Sequence, residues 1–97
     1  MIIEIPNGGV VDLTAATGDD ETAKIAIESN FDTTRTVFLT LSSSAPTSTN
    51  DCEATLKPNI SSPFCQRTIS GVAGKRAYAM IASIPINSPV KIRVSVG

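Results

Sequence analysis

Ninety-seven residues make one domain's worth of chain, able to bury roughly 60 to 68% of the surface its unfolded form exposes, so a single domain over residues 1–97 with one modest core is expected. The core must be aliphatic, since the chain is 41% hydrophobic with three Phe, one Tyr and no Trp, and its many β-branched residues, Thr and Ser favour strands. A net charge of −1 supplies no bulk attraction to nucleic acid or an anionic membrane, and the apolar runs fall far short of the ~20 residues that span a bilayer.

The chain opens Met-Ile-Ile-Glu-Ile, with Ile3 and Ile5 alternating against Ile2 and Glu4, and Pro6-Asn-Gly-Gly9 then marks a turn. With no basic region before it and Glu4 inside it, this opening does not resemble a signal peptide, which implies synthesis in a cytoplasm if Met1 is the true start. Residues 9–14 form a second short strand, and 15–20 a loop. Over 22–29 two templates compete. As a strand, Ala23, Ile25 and Ile27 share one face; as a helix capped by Asp19, Ile25 falls off the stripe, so the strand is preferred.

Asn30 to Thr33 is a turn. The clearest strand runs over 34–42, with Val37, Leu39 and Leu41 facing in and Thr36, Phe38 and Thr40 facing out. Residues 43–51 are a polar loop whose hydroxyls and amides could contact sugars, although no Trp is present to serve as a platform. Residues 52–57 extend again, 58–63 bend at Pro58 and Pro63, and 64–70 form a short strand ending at the Gly71–Gly74 turn. The apolar run within 75–83 reads as a strand covered on both faces, and the last strand, 89–96, alternates Val90, Ile92, Val94 and Val96 against Lys91, Arg93 and Ser95. Seven or eight short strands at this spacing predict an all-β fold, an antiparallel β-sandwich or barrel of jelly-roll or Ig-like type.

Little catalytic chemistry is encoded. Histidine is absent, which removes Ser-His-Asp and Cys-His sites and the commonest metal ligand, so no enzyme activity and no cofactor are expected. Asp19-Asp20-Glu21 lacks the spacing of a calcium loop, Gly71-Val-Ala-Gly-Lys75 is two residues too short between its glycines for a phosphate loop, and Asn59-Ile-Ser61 fits a glycosylation sequon by chance. Cys52 and Cys65 flank a twelve-residue loop, and a disulfide between them is expected to contribute about 3 kcal/mol, although cytosolic thiols normally stay reduced.

Charge divides along the chain. Residues 1–53 hold all nine acids and two bases, a balance of −7, whereas residues 54–97 hold six bases and no acid, a balance of +6. Either the halves intermix and neutralise each other across strands, or they form acidic and basic faces suited to contact between copies. In the second case Asp19, Asp20 and Glu21 of one copy meet Lys75, Arg76, Lys91 or Arg93 of another copy or of a partner. Burial of Ile2, Ile3, Ile5 and Phe38 then supplies the affinity.

The strand Thr36-Val-Phe-Leu-Thr40, the segment Ser44-Ala-Pro-Thr-Ser48, the Leu56-Lys-Pro58 turn, the strand Arg76-Ala-Tyr-Ala-Met-Ile-Ala82 and the closing Val90-Lys-Ile-Arg-Val94, together about three quarters of the chain, resemble the small β-sandwich virion accessory proteins of tailed phages, the decoration and head-stabilising type. The resemblance implies a non-enzymatic subunit, made in the host cytoplasm and carried on the virion, that binds the major capsid protein from outside. It implies assembly as a homo-oligomer, with a trimer favoured, and no nucleic-acid or membrane partner. The alternative is a carbohydrate- or surface-binding module of a larger adhesin or secreted enzyme.

Overall fold

In the computed structural model, which describes residues 1–29, 35–58, 64–86 and 88–97, the chain folds into two four-stranded antiparallel sheets packed face to face. The strands are β1 (Ile2–Ile5), β2 (Val10–Asp12), β3 (Lys24–Ser29), β4 (Val37–Ser42), β5 (Ala54–Leu56), β6 (Cys65–Ser70), β7 (Arg76–Ile81) and β8 (Val90–Val96), with one short helix, α1 (Leu13–Ala16). One sheet has the order β1-β8-β3-β6 and the other β2-β7-β4-β5. The pairs β1–β8, β2–β7, β3–β6 and β4–β5 nest inside one another, which is the winding of a jelly roll. No helix among the described residues is long and apolar enough to cross a membrane.

Alternation fixes which side of each strand faces in. Ile5, Val90, Ile92, Val94, Ile25 and Ile27 from the first sheet meet Val37, Leu39, Leu56, Ala77, Ala79 and Ile81 from the second, all essentially fully buried. The small Ala77 and Ala79 on central β7 let the branched side chains of the facing sheet approach, so the aliphatic core closes without an aromatic residue. Tyr78 and Met80 are buried on the other face of β7, as the unbroken apolar run predicts, between β2 and β4. The 43–51 segment folds back across this side: Pro46 is buried, and the Thr40 hydroxyl lies 3.5 Å from the Asp51 carbonyl.

Two departures from the sequence reading have local causes. Pro6–Gly9 does turn, its Gly9 N–H donating to the Pro6 carbonyl (2.7 Å), with Gly8 at φ +71°. It carries the chain from one sheet to the other and joins no hairpin, because β1 pairs with β8 and β2 with β7. The second strand also stops at Asp12, where the chain turns into α1. Buried Thr14 accepts the Ala77 N–H on its Oγ1 (2.8 Å), so β7 keeps a partner where the strand has left the sheet. The turn placed at 30–33, the bend placed at 58–63 and the sequon at Asn59 lie wholly or partly outside the described residues.

Candidate functional site

Three acidic side chains converge on Arg76 at the start of β7. Asp12 caps α1, its Oδ1 accepting the Ala15 N–H (3.0 Å), and its Oδ2 accepts from Arg76 Nε (2.7 Å). The turn after α1 puts Gly18 and Asp19 at positive φ, 108° and 61°, and is closed by the Asp19 N–H on the Thr14 carbonyl (2.8 Å). This conformation delivers the Asp19 carboxylate to Arg76 Nη2. Glu21 completes the set, 3.5 Å from Arg76 Nη1 while also accepting the Gly74 N–H (2.7 Å). Hydrogen bonds to Asp12 and Asp19 raise the Arg76 pKa further above its already high ordinary value. Asp20 turns away to accept the Thr22 hydroxyl (2.7 Å) and N–H (2.9 Å), which together hold its pKa below the usual carboxylate value.

The charges expected to meet between copies therefore meet, for Asp19, Glu21 and Arg76, inside one chain. The same neutralisation runs across the outer face of the first sheet, where Lys91 stands opposite Glu4 and Arg93 opposite Glu28. Lys75 is exposed in the turn before β7. The expected apolar contacts need a correction as well. Ile5 is completely buried and Ile3 packs against the core, because their parity on β1 points them inward, so only Ile2, 56% exposed, is left for a partner. Phe38 is half-buried on the outer face of the second sheet, flanked by Met80 and Thr55.

The expected disulfide is also corrected: Cys52 and Cys65 are not joined. Thr55 of β5 lies beside Arg67 of β6, whose Nε donates to the Thr55 carbonyl (3.0 Å), and Glu53 and Ala54 share a cleft with Thr68, Ile69 and Ser70. Running in opposite directions, the two strands put Cys52 at the Ser70 end and Cys65 at the Lys57 end, about five residues of strand or ~16 Å apart, beyond the reach of a disulfide. Burial, with Asp51 and Glu53 adding to it, raises the Cys52 pKa above its ordinary 9.0, which keeps it a thiol at neutral pH.

This side of the sandwich is where the sheets part. A cleft of about 220 Å³ opens between β4–β5 and β6, lined by Leu39, Leu41, Ala54 and Ile69 with polar Thr68 and Glu53 at its rim. Arg67 has inward parity at this mouth and stays exposed by reaching across to β5. Sequence reasoning did not single it out, although one base at an inward position between Cys65 and Ile69 was a visible break in the pattern. A second hollow, about 260 Å³, lies between β4 and the 43–51 segment and is lined by Thr40, Ser42, Ser44, Pro46, Thr47 and Asp51. Among the described residues no group of three or more His, Cys, Asp or Glu is arranged to hold a metal ion.

Comparison with models of protein families, with curated proteins and with solved structures finds no match to this chain.

Proposed function

We propose that this chain is a non-enzymatic virion subunit of the capsid decoration type, made in the host cytoplasm, that binds the major capsid protein from outside and associates with copies of itself. The observation that carries this reading is where the exposed apolar side chains sit. Strand directions place Met1, Ile2, Val72 and Val96 at one end of the sandwich and Phe64, Ile84 and Ile86 at the other, all of them at least 36% exposed. The outer face of the first sheet between these ends carries opposed charges and small side chains. A block with apolar ends and a polar outer face on its first sheet suits a subunit that docks end-on and bridges neighbours. The jelly-roll winding is compatible by fold analogy alone, since it recurs in capsid and sugar-binding proteins alike.

The test is co-sedimentation with capsids of the major capsid protein encoded in the same genome. The wild-type chain is expected to sediment with the particles, and Ile2→Asp/Val96→Asp, which changes two exposed side chains, to stay in the supernatant. Failure of the wild-type chain to bind any such particle contradicts the proposal. One observation favours a second class, a glycan-binding module: the hydroxyl-lined hollow beneath the 43–51 segment. Glycan binding that vanishes in Thr47→Ala or Asp51→Ala supports that class instead.

A further inference from the structure

The hydrogen-bond phase of the first sheet shows which main-chain groups point out of it. Gly71 N–H donates to the Ala23 carbonyl (3.0 Å), and Gly71 stands opposite Ala23 in the register that pairs Lys24 with Ser70. Hydrogen-bonded and non-hydrogen-bonded pairs alternate along an antiparallel ladder, so Arg67 and Ile69 turn their N–H and C=O towards β3. Gln66, Thr68 and Ser70 turn theirs outward, and among the described residues no main-chain partner meets them. The other edge of this sheet is poorer. The exchange between Met1 and Val94, 2.7 and 2.8 Å, leaves only Ile2 and Glu4 pointing outward on β1.

We propose that β6 pairs with β6 of a second copy, antiparallel and about a two-fold axis through Thr68, so that the two four-stranded sheets join into one of eight. This rests on the self-association in the reading above and names its surface. In that register Thr68 faces Thr68 of the second copy and Gln66 faces its Ser70, so all three outward-facing residues find partners and their side chains are uncharged. On the inner side each Arg67 stands opposite Ile69 of the other copy, which keeps the two guanidinium groups out of direct opposition. Each is already turned to Thr55 of its own chain.

Charge selects the same arrangement. Glu28 neighbours Gln66, accepting from its side-chain amide (3.1 Å), and Lys24 neighbours Ser70. The antiparallel pairing therefore extends the Glu28–Gln66 row of one copy into the Ser70–Lys24 row of the other, acid towards base on both sides of the axis. A parallel pairing in register would set Glu28 towards Glu28. The separation, three strand spacings or ~14 Å, makes this a matter of orientation more than affinity. A two-fold contact closes on itself as a dimer, in place of the trimer that the phage resemblance implies.

Sedimentation equilibrium of the free protein, up to roughly 1 mM to register one strand pair, tests this. Thr68→Pro removes an N–H that β3 does not use, at an edge position where proline is tolerated, and takes away both hydrogen bonds of the central pair. The dimer dissociation constant is expected to rise roughly 30-fold or more, with circular dichroism unchanged, while Thr68→Val stays within about threefold. As a check independent of proline, Thr68→Cys with Cys52 and Cys65 replaced by Ser should oxidise to a covalent dimer, and Ser95→Cys in the same background should not. A wild-type monomer throughout, a trimer, or a dimer indifferent to Thr68→Pro overturns the proposal. Dimerisation is read without capsids and particle binding with them, so either can fail while the other stands.

Discussion

The two long sides of the sandwich are built from the same parts and finished differently. On one side β1 and β2 are joined by the Pro6–Gly9 corner, and that corner is tied down. Asn7 exchanges hydrogen bonds with the main chain of Ile84 (2.9 and 3.1 Å), and Arg35 donates to Asn7 Oδ1 (3.0 Å) and to the carbonyls of Ala82 and Ser88. On the other side, Arg67 of β6 reaches across the cleft to donate to the Thr55 carbonyl of β5 (3.0 Å). The first arrangement uses its polar groups at home; the second leaves a cleft and a row of outward-facing main-chain groups. In the pairing proposed above, stability and assembly are separated, with the tied side holding the fold and the open side taking the second copy.

The largest expected effect sharpens that separation. Ile5→Ala, on the tied side, removes a completely buried side chain and should cost about 2 to 5 kcal/mol by chemical denaturation. Val96→Ala, at an exposed end, should stay within about 0.5 kcal/mol. Arg35→Ala comes next, about 1 to 3 kcal/mol, because it strips a charged donor from two main-chain carbonyls and Asn7 at once. Equal losses for Ile5→Ala and Val96→Ala would erase the contrast.

How much of this was legible in the sequence follows the same division. Alternation gave the strands, and the inward sets Val37, Leu39, Leu41 and Val90, Ile92, Val94 are those found, whereas Val96, of the same parity, is exposed at the end of β8. Pairing was not legible, since period-two alternation says which face a side chain takes and nothing about which strand lies beside it. Hence the Cys52–Cys65 spacing looked suited to a disulfide, whereas strand direction puts the thiols at opposite ends of the cleft. The α1 helix was missed because four residues carry no helical period, and Val-Val-Asp-Leu-Thr alternates well enough to pass for a strand. The Arg76 cluster joins residues 55 to 64 positions apart, and only the sum of charges in each half hinted at it.

Smaller effects fall on the open side. Arg67→Ala should change stability by less than about 1 kcal/mol, since its single hydrogen bond is exposed. It should nevertheless widen the mouth of the cleft, read as faster exchange of the main-chain amides of β5. The smallest concerns the thiols. Denatured without reductant, the chain should take up two alkyl groups, and uptake of none would restore the disulfide. In the folded protein Cys52 should react more slowly than an unperturbed thiol at pH 8, and the difference should shrink as pH climbs past 9.0. The sign follows from the raised pKa. The folded state favours the protonated thiol, so this contribution is full below the ordinary value and is lost on the alkaline side as pH rises through the raised one.

Amide hydrogen exchange, followed residue by residue at low and at high protein concentration, tests the open-edge assignment most directly. The amides of Arg67 and Ile69, bonded to β3, should be protected at both concentrations. Those of Gln66, Thr68 and Ser70 should exchange freely in dilute solution and become protected together as concentration rises. Protection of these three that is already complete in dilute solution, or that never changes with concentration, would contradict the claim that β6 is an edge held open for a second copy.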